Sequence, residues 1–278
     1  DLVVGAPAHR FIPNSHNTGT VFVSMLNSLG LWTQGAIPLG AETFEGVNPQ
    51  YGRSVALDGD VIIAGAPSLM VNGNKGAGAV AIFTRGQFSP WAGNTPIENP
   101  DAIMNETQGS NFGTDVDVVK QVVSPRNPTG EYYYLIGAPL KTINNDVGQV
   151  YLLEGNTWNT LNRPENVLGN DRFGSAVRFR EDLENGDHQA IACARDTGTG
   201  GTGSVYLFDQ TNFGQPWLPK ATFVIGDADV QPGSEAVICQ DLAAWGPMLA
   251  IAAPNGVPSQ SAVYSNPVII KSDGFEEP

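Results

Sequence analysis

One unit recurs along this chain, and a repeat constrains a fold more tightly than any local signal. Its clearest copy runs from Tyr51 to Pro67, with an aromatic-Gly-x-Ser-Val opening (Tyr51, Gly52, Ser54, Val55), an Asp58-Gly59-Asp60 turn and a closing Gly65-Ala66-Pro67. The aromatic-Gly pair returns as Phe112-Gly113 and Phe173-Gly174, then weakly as Pro232-Gly233, at glycine intervals of 61, 61 and 59 residues. The close returns as Gly5-Ala6-Pro7 and Gly137-Ala138-Pro139, and decays to Cys193-Ala194-Arg195 and Ala252-Ala253-Pro254. Trp32, Trp91, Trp158 and Trp217 keep step with it.

Each unit reads as four short strands. Ser54–Leu57 turns at Asp58-Gly59, a strong hairpin signal, into Val61–Ala64. A loop rich in Gly and Asn follows, then a third strand, Ala79–Phe83, and a fourth near Trp91. Third strands recur at Thr20–Val23, Gln149–Leu153, Ser204–Phe208 and Ala262–Tyr264. The second strands, such as Tyr132–Ile136 and Met248–Ile251, are nearly continuous apolar runs, the pattern of a strand buried on both faces. No helical period is sustained. Four strands in about 60 residues predict an all-β fold, a β-propeller whose four-stranded antiparallel blades stack radially.

The repeats fall at about 1–50, 51–110, 111–170, 171–231 and 232–270, one domain over 1–270, with an acidic tail at 271–278. The first is incomplete, because one repeat back from Gly52 its aromatic-Gly pair would precede residue 1. Either an upstream segment or Val268-Ile269-Ile270 would supply its first strand, and rings of five, six or seven blades stay open. The recurrent glycines predict close backbone approach, and the proline of Gly-Ala-Pro, which offers no amide to the ladder, should end its strand.

The unit from Tyr51 to Phe83 resembles the FG-GAP repeat of integrin-like β-propellers, in the form found in bacterial secreted and cell-surface proteins. The likeness spans nearly the whole chain, strongest in the second and third units and weakest in the fifth. It implies an extracellular, periplasmic or cell-surface location and a non-enzymatic role in protein recognition, adhesion or self-assembly. A carbohydrate-binding propeller is the alternative, and a lyase or hydrolase the more distant one. The resemblance also implies looking for calcium between the first two strands of a blade. Calcium takes six to eight oxygen ligands, and only the fourth unit is acidic enough there, at Asp182, Glu184 and Asp187, although its spacing departs from the family order. A solvated acidic hairpin explains the same residues.

With 14 basic residues against 28 acidic ones, a net charge of −14 excludes the phosphate neutralisation on which nucleic-acid binding depends. No apolar run approaches the ~18 residues that would span a bilayer, which predicts a chain without a transmembrane segment. Cys193 and Cys239 end strands in neighbouring units. They stand either as a disulfide in an oxidising compartment or as buried thiols.

No convergent catalytic cluster emerges. His9, His16 and His188 lie in loops or at strand edges, Ser54 and Ser175 belong to the strand motif, and Asp115 and Asp117 share one side of a strand, reading as a polar channel lining. Binding is instead expected on the loops between second and third strands, which are longer than tight hairpins need. Those loops carry Asn72, Asn74, Asn144, Asn145, Asp146 and Asp196.

Overall fold

The computed structural model describes residues 1–9, 18–27, 29–33, 48–85, 91–93, 97–98, 109–121, 130–143, 146–162, 172–181, 188–197, 202–210, 215–224, 241–245, 248–253 and 260–265. Those residues are all-β, antiparallel in every paired strand, and no helix occurs among them. No helix among them is therefore long and apolar enough to cross a membrane. The chain forms two compact units, Asp1–Val119 and Lys120–Pro278.

In the first unit, β1 (Leu2–Ala6), β2 (Thr20–Leu26) and β3 (Trp32–Thr33) form one sheet in that order. A second sheet follows the order β4 (Val55–Asp58), β5 (Val61–Ala66), β6 (Ala79–Thr84), β7 (Ala92–Gly93), with β8 (Ile97–Glu98) also paired to β6. β9 (Val116–Lys120) ends at the boundary between the units. In the second unit, β10 (Tyr132–Ile143), β11 (Asp146–Glu154) and β12 (Thr157–Leu161) are successive neighbours. Next come a four-stranded sheet of β13 (Val177–Glu181), β14 (His188–Thr197), β15 (Thr202–Gln210) and β16 (Trp217–Val224), and a sheet of β17 (Asp241–Trp245), β18 (Met248–Ala253) and β19 (Gln260–Ser265).

The local causes are those written in the repeat. Asp58 pairs with Val61 across a two-residue turn in which Gly59 takes φ 52°, the left-handed geometry a tight hairpin needs. β5 is buried along its whole length, and so is β6 as far as Phe83. Burial on both faces requires a partner on both sides, and the cores supply one. Val21 and Val23 of β2 join Ile62, Ala64, Ala81 and Phe83 in one cluster. In the second unit, Ile191, Cys193, Val205 and Leu207 meet Leu242, Leu249 and Ile251.

Consecutive repeats are stitched at two points, both made by the recurrent motif. The glycine of Gly-Ala-Pro lies against the aromatic-Gly glycine of the next repeat in the pairs Gly5 with Gly52, Gly65 with Gly113 and Gly137 with Gly174. In each pair a Cβ on the first glycine would collide with the carbonyl oxygen of the second. A glycine just before or near the start of each of these third strands bridges the aromatic of the following repeat, as Gly19 to Tyr51, Gly78 to Phe112 and Gly148, inside β11, to Phe173. Tyr51, Phe112 and Phe173 are all buried. The motif is thus the contact between repeats, and its spacing is the distance from one contact to the next.

One expectation fails in part. Pro67 does end its strand, since β5 stops at Ala66. β10 instead runs through Pro139 to Ile143, with the register to β11 shifting between Ala138 and Thr142 before Thr142 pairs with Val147 and Ile143 with Asp146. A bulge absorbs the missing amide, so Leu140–Ile143 and Asp146–Gly148 lie in paired strands rather than in a loop. β14 and β15 behave alike, with a shift between Ala194 and Thr197.

Candidate interaction surface

The segment from Ser68 to Gly78 is the best-described of the expected binding loops, and it is anchored at every turn. Gly78 N donates to Leu69 O at 3.1 Å, and Val71 and Asn74 exchange backbone bonds at 3.2 and 2.9 Å. Between them Asn72 and Gly73 take φ values of 51° and 83°. Asn tolerates that left-handed geometry and Gly meets it without steric cost. Leu69, Val71 and Ala77 are buried beneath the loop.

Both neighbouring entry segments hold it. Ser68 N donates to Pro49 O at 3.1 Å, while Asn111 N donates to Gly76 O at 2.8 Å and Phe112 N to Ala77 O at 3.2 Å. Ser110 Oγ adds a bond to Ala77 O at 3.0 Å. What remains for solvent is a thioether, a turn and an amine, with Met70, Asn72, Gly73 and Lys75 exposed and Asn74 half-buried. The loop is therefore a preformed backbone platform that presents hydrogen-bonding and apolar groups.

The remaining candidate positions are placed unevenly. Asn144 and Asn145 lie outside the described residues, while Asp146 opens β11 and Asp196 lies in β14. Asp182, Glu184 and Asp187, the candidate calcium ligands, also lie outside them. Among the described residues, no group of three or more His, Cys, Asp or Glu is placed to hold a metal ion. Cys193 is disulfide-bonded, and the sequence has one other cysteine, Cys239, outside the described residues.

The polar residues of the strand motif are engaged in structure. Ser54 Oγ donates to Asp115 Oδ1 at 2.7 Å and accepts from Val116 N at 3.2 Å, which ties the second repeat to the start of the third. Asp115 is buried, and Asp117 Oδ1 accepts from Val118 N at 3.0 Å. Ser175 Oγ reaches Cys193 O at 3.5 Å. His9 meets Phe22 edge-on at 5.5 Å, His188 Nδ1 lies 3.3 Å from Gln121 Oε1, and His16 is outside the described residues.

One polar centre was not anticipated. Glu154, at the end of β11, is 7% exposed. Its Oε1 accepts from Trp217 Nε1 at 2.6 Å and Gln210 Nε2 at 3.2 Å, and its Oε2 accepts from Asn159 Nδ2 at 3.1 Å. Burial pushes this carboxyl above the usual glutamate range, the bonds from Trp217 and Gln210 pull it back, and the charge of Glu131 raises it further. The available signal was a glutamate closing an otherwise apolar third strand, followed 63 residues later by the recurring tryptophan.

No protein-family model matches this chain, and no curated protein does either.

Proposed function

We propose that this chain is a β-propeller of the FG-GAP, integrin-like kind, secreted or displayed at a cell surface, which recognises a protein partner or further copies of itself without catalysing a reaction. The observation that carries the reading is the anchored loop from Ser68 to Gly78, whose backbone is held in place before any partner arrives. Preorganisation lowers the ordering cost of binding. Repeated antiparallel sheets with central strands such as β5 and β6 buried on both faces support the propeller, and a disulfide at Cys193 supports an oxidising compartment.

Because Leu69, Val71 and Ala77 are buried, the test should change only what the loop shows to solvent. The triple variant Met70→Ala, Asn72→Gly, Lys75→Ala keeps the turn, and its denaturation midpoint should stay near the wild type, as surface changes cost within about 0.5 kcal/mol each. Self-association by sedimentation velocity, or retention of the protein partner, is expected to be lost in that variant. Association that survives it but disappears in Asp115→Asn or Asp117→Asn would move the site to the strands and end this reading.

A second expected result bears on location. Peptide mapping without reductant should recover Cys193 and Cys239 in one cross-linked species that separates on reduction. Recovery of an unmodified Cys239 peptide from the oxidised protein would remove the support for a secreted chain.

A further inference from the structure

The junction between the fourth and fifth repeats departs from the others at its glycine. Gly65 holds its place by two backbone bonds, accepting from Gly52 N and donating to Ser54 O, both at 2.9 Å. Two repeats later Cys193 makes the same pair of bonds, accepting from Gly174 N at 2.8 Å and donating to Ala176 O at 2.9 Å. A residue with a Cβ therefore stands where Gly5, Gly65 and Gly137 each bring the next repeat so close that a Cβ would strike its backbone. That backbone contact cannot form in the same way at Cys193.

A second stitch is missing as well. Tyr51 N donates to Thr18 O and Phe112 N to Ala77 O, each at 3.2 Å, and both rings are buried. The corresponding residue of the fifth repeat is Pro232, which has neither an aromatic ring nor an N–H to donate. An apolar contact remains, in which Ala176, Ile191, Val205 and Leu207 meet Leu242, Leu249 and Ile251. Within it lies Cys193, 0% exposed and disulfide-bonded. Cys239, the one other cysteine of the sequence, comes two residues before β17 begins at Asp241.

We infer that this disulfide is a redox-operated catch on the fifth repeat: it stands in for the two backbone stitches, and its reduction releases β17, β18 and β19 while the earlier repeats stay folded. The bridge fastens the chain just ahead of β17 to the strand that carries the seam position of the fourth repeat, so the covalent bond acts where the glycine contact acts elsewhere.

The reductant is a dithiol. One of its thiolates attacks a sulfur of the bridge, and a mixed disulfide forms as the protein S–S bond breaks. Its second thiolate then displaces the protein sulfur. The dithiol leaves as a disulfide, two electrons pass to the protein, and the two dithiol protons end on Cys193 and Cys239. Release bares Ile191, Val205 and Leu207, an apolar surface that the fifth repeat otherwise covers.

Peptide-level hydrogen–deuterium exchange tests the catch on three samples: oxidised wild type, wild type reduced in urea and returned to buffer with excess dithiothreitol, and Cys239→Ser. In the second and third, the amides of β17 and β18 should exchange about a hundredfold faster than in the first, the order by which such a cross-link shifts an opening equilibrium. Those of β5, β6, β10 and β11 should change by less than about twofold, because they open independently of the fifth repeat. Reoxidising the second sample should restore the original rates. Equal protection of β17 and β18 in oxidised and reduced wild type would overturn the catch, and so would protection lost to the same degree in every repeat. The reduced wild type decides it even if Cys239→Ser does not fold.

Discussion

Replacing Gly65 with alanine is expected to cost about 3 kcal/mol or more, at or beyond the upper end of overpacking penalties. The added methyl would meet the carbonyl oxygen of Gly113, a backbone atom with no rotamer to change. Gly65 cannot retreat, because its N–H donates to Ser54 O at 2.9 Å and its carbonyl accepts from Gly52 N at 2.9 Å. Gly137→Ala, facing Gly174 in the same way, should behave alike. The informative control is Gly73→Ala. That residue has φ 83° but nothing within 4 Å of where its Cβ would lie, so it should lose only the about 1–2 kcal/mol of a left-handed L-residue. Urea denaturation followed by circular dichroism would separate the two. Equal losses at Gly65 and Gly73 would show that the glycine pairs are not the seams between repeats.

Trp217→Ala is expected to be as damaging, about 3–5 kcal/mol as for other buried aromatic truncations. The indole is 5% exposed, meets Tyr133 at 6.3 Å and Phe179 at 6.5 Å, and donates to Glu154. Removing it opens a cavity and leaves a buried carboxylate one donor short, two penalties that add. Trp32 occupies the same step of the repeat but is 56% exposed. Its replacement by alanine should stay within about 0.5 kcal/mol. A large loss at Trp32 with a small one at Trp217 would mean that the tryptophans do not act between repeats as their contacts indicate.

The class of fold was legible because it is periodic. Motif intervals, Asp58-Gly59 and the apolar second strands each state a local rule, and β4, β5 and β6 obey them within two residues. The motif also named its own glycines, although not their partners. Binding loops were less legible, because Pro139 reads as a strand end and only the resumed pairing of Thr142 with Val147 shows that the ladder continues past it. Asn72-Gly73 announced a turn, while the burial of Leu69 and Val71 that makes the loop rigid depends on residues far from it in sequence.

By itself, then, the order of residues determined an all-β array of repeats and which glycines the backbone approaches closely, since period, turn chemistry and glycine placement are local properties. Tertiary structure alone decided which carbonyl each glycine faces, that Asp115 is tied to Ser54, and that Glu154 is buried against Trp217. Those outcomes depend on which side chains two repeats bring to their shared face, and the charge state and worth of a buried carboxylate are set by neighbours that sequence proximity does not name.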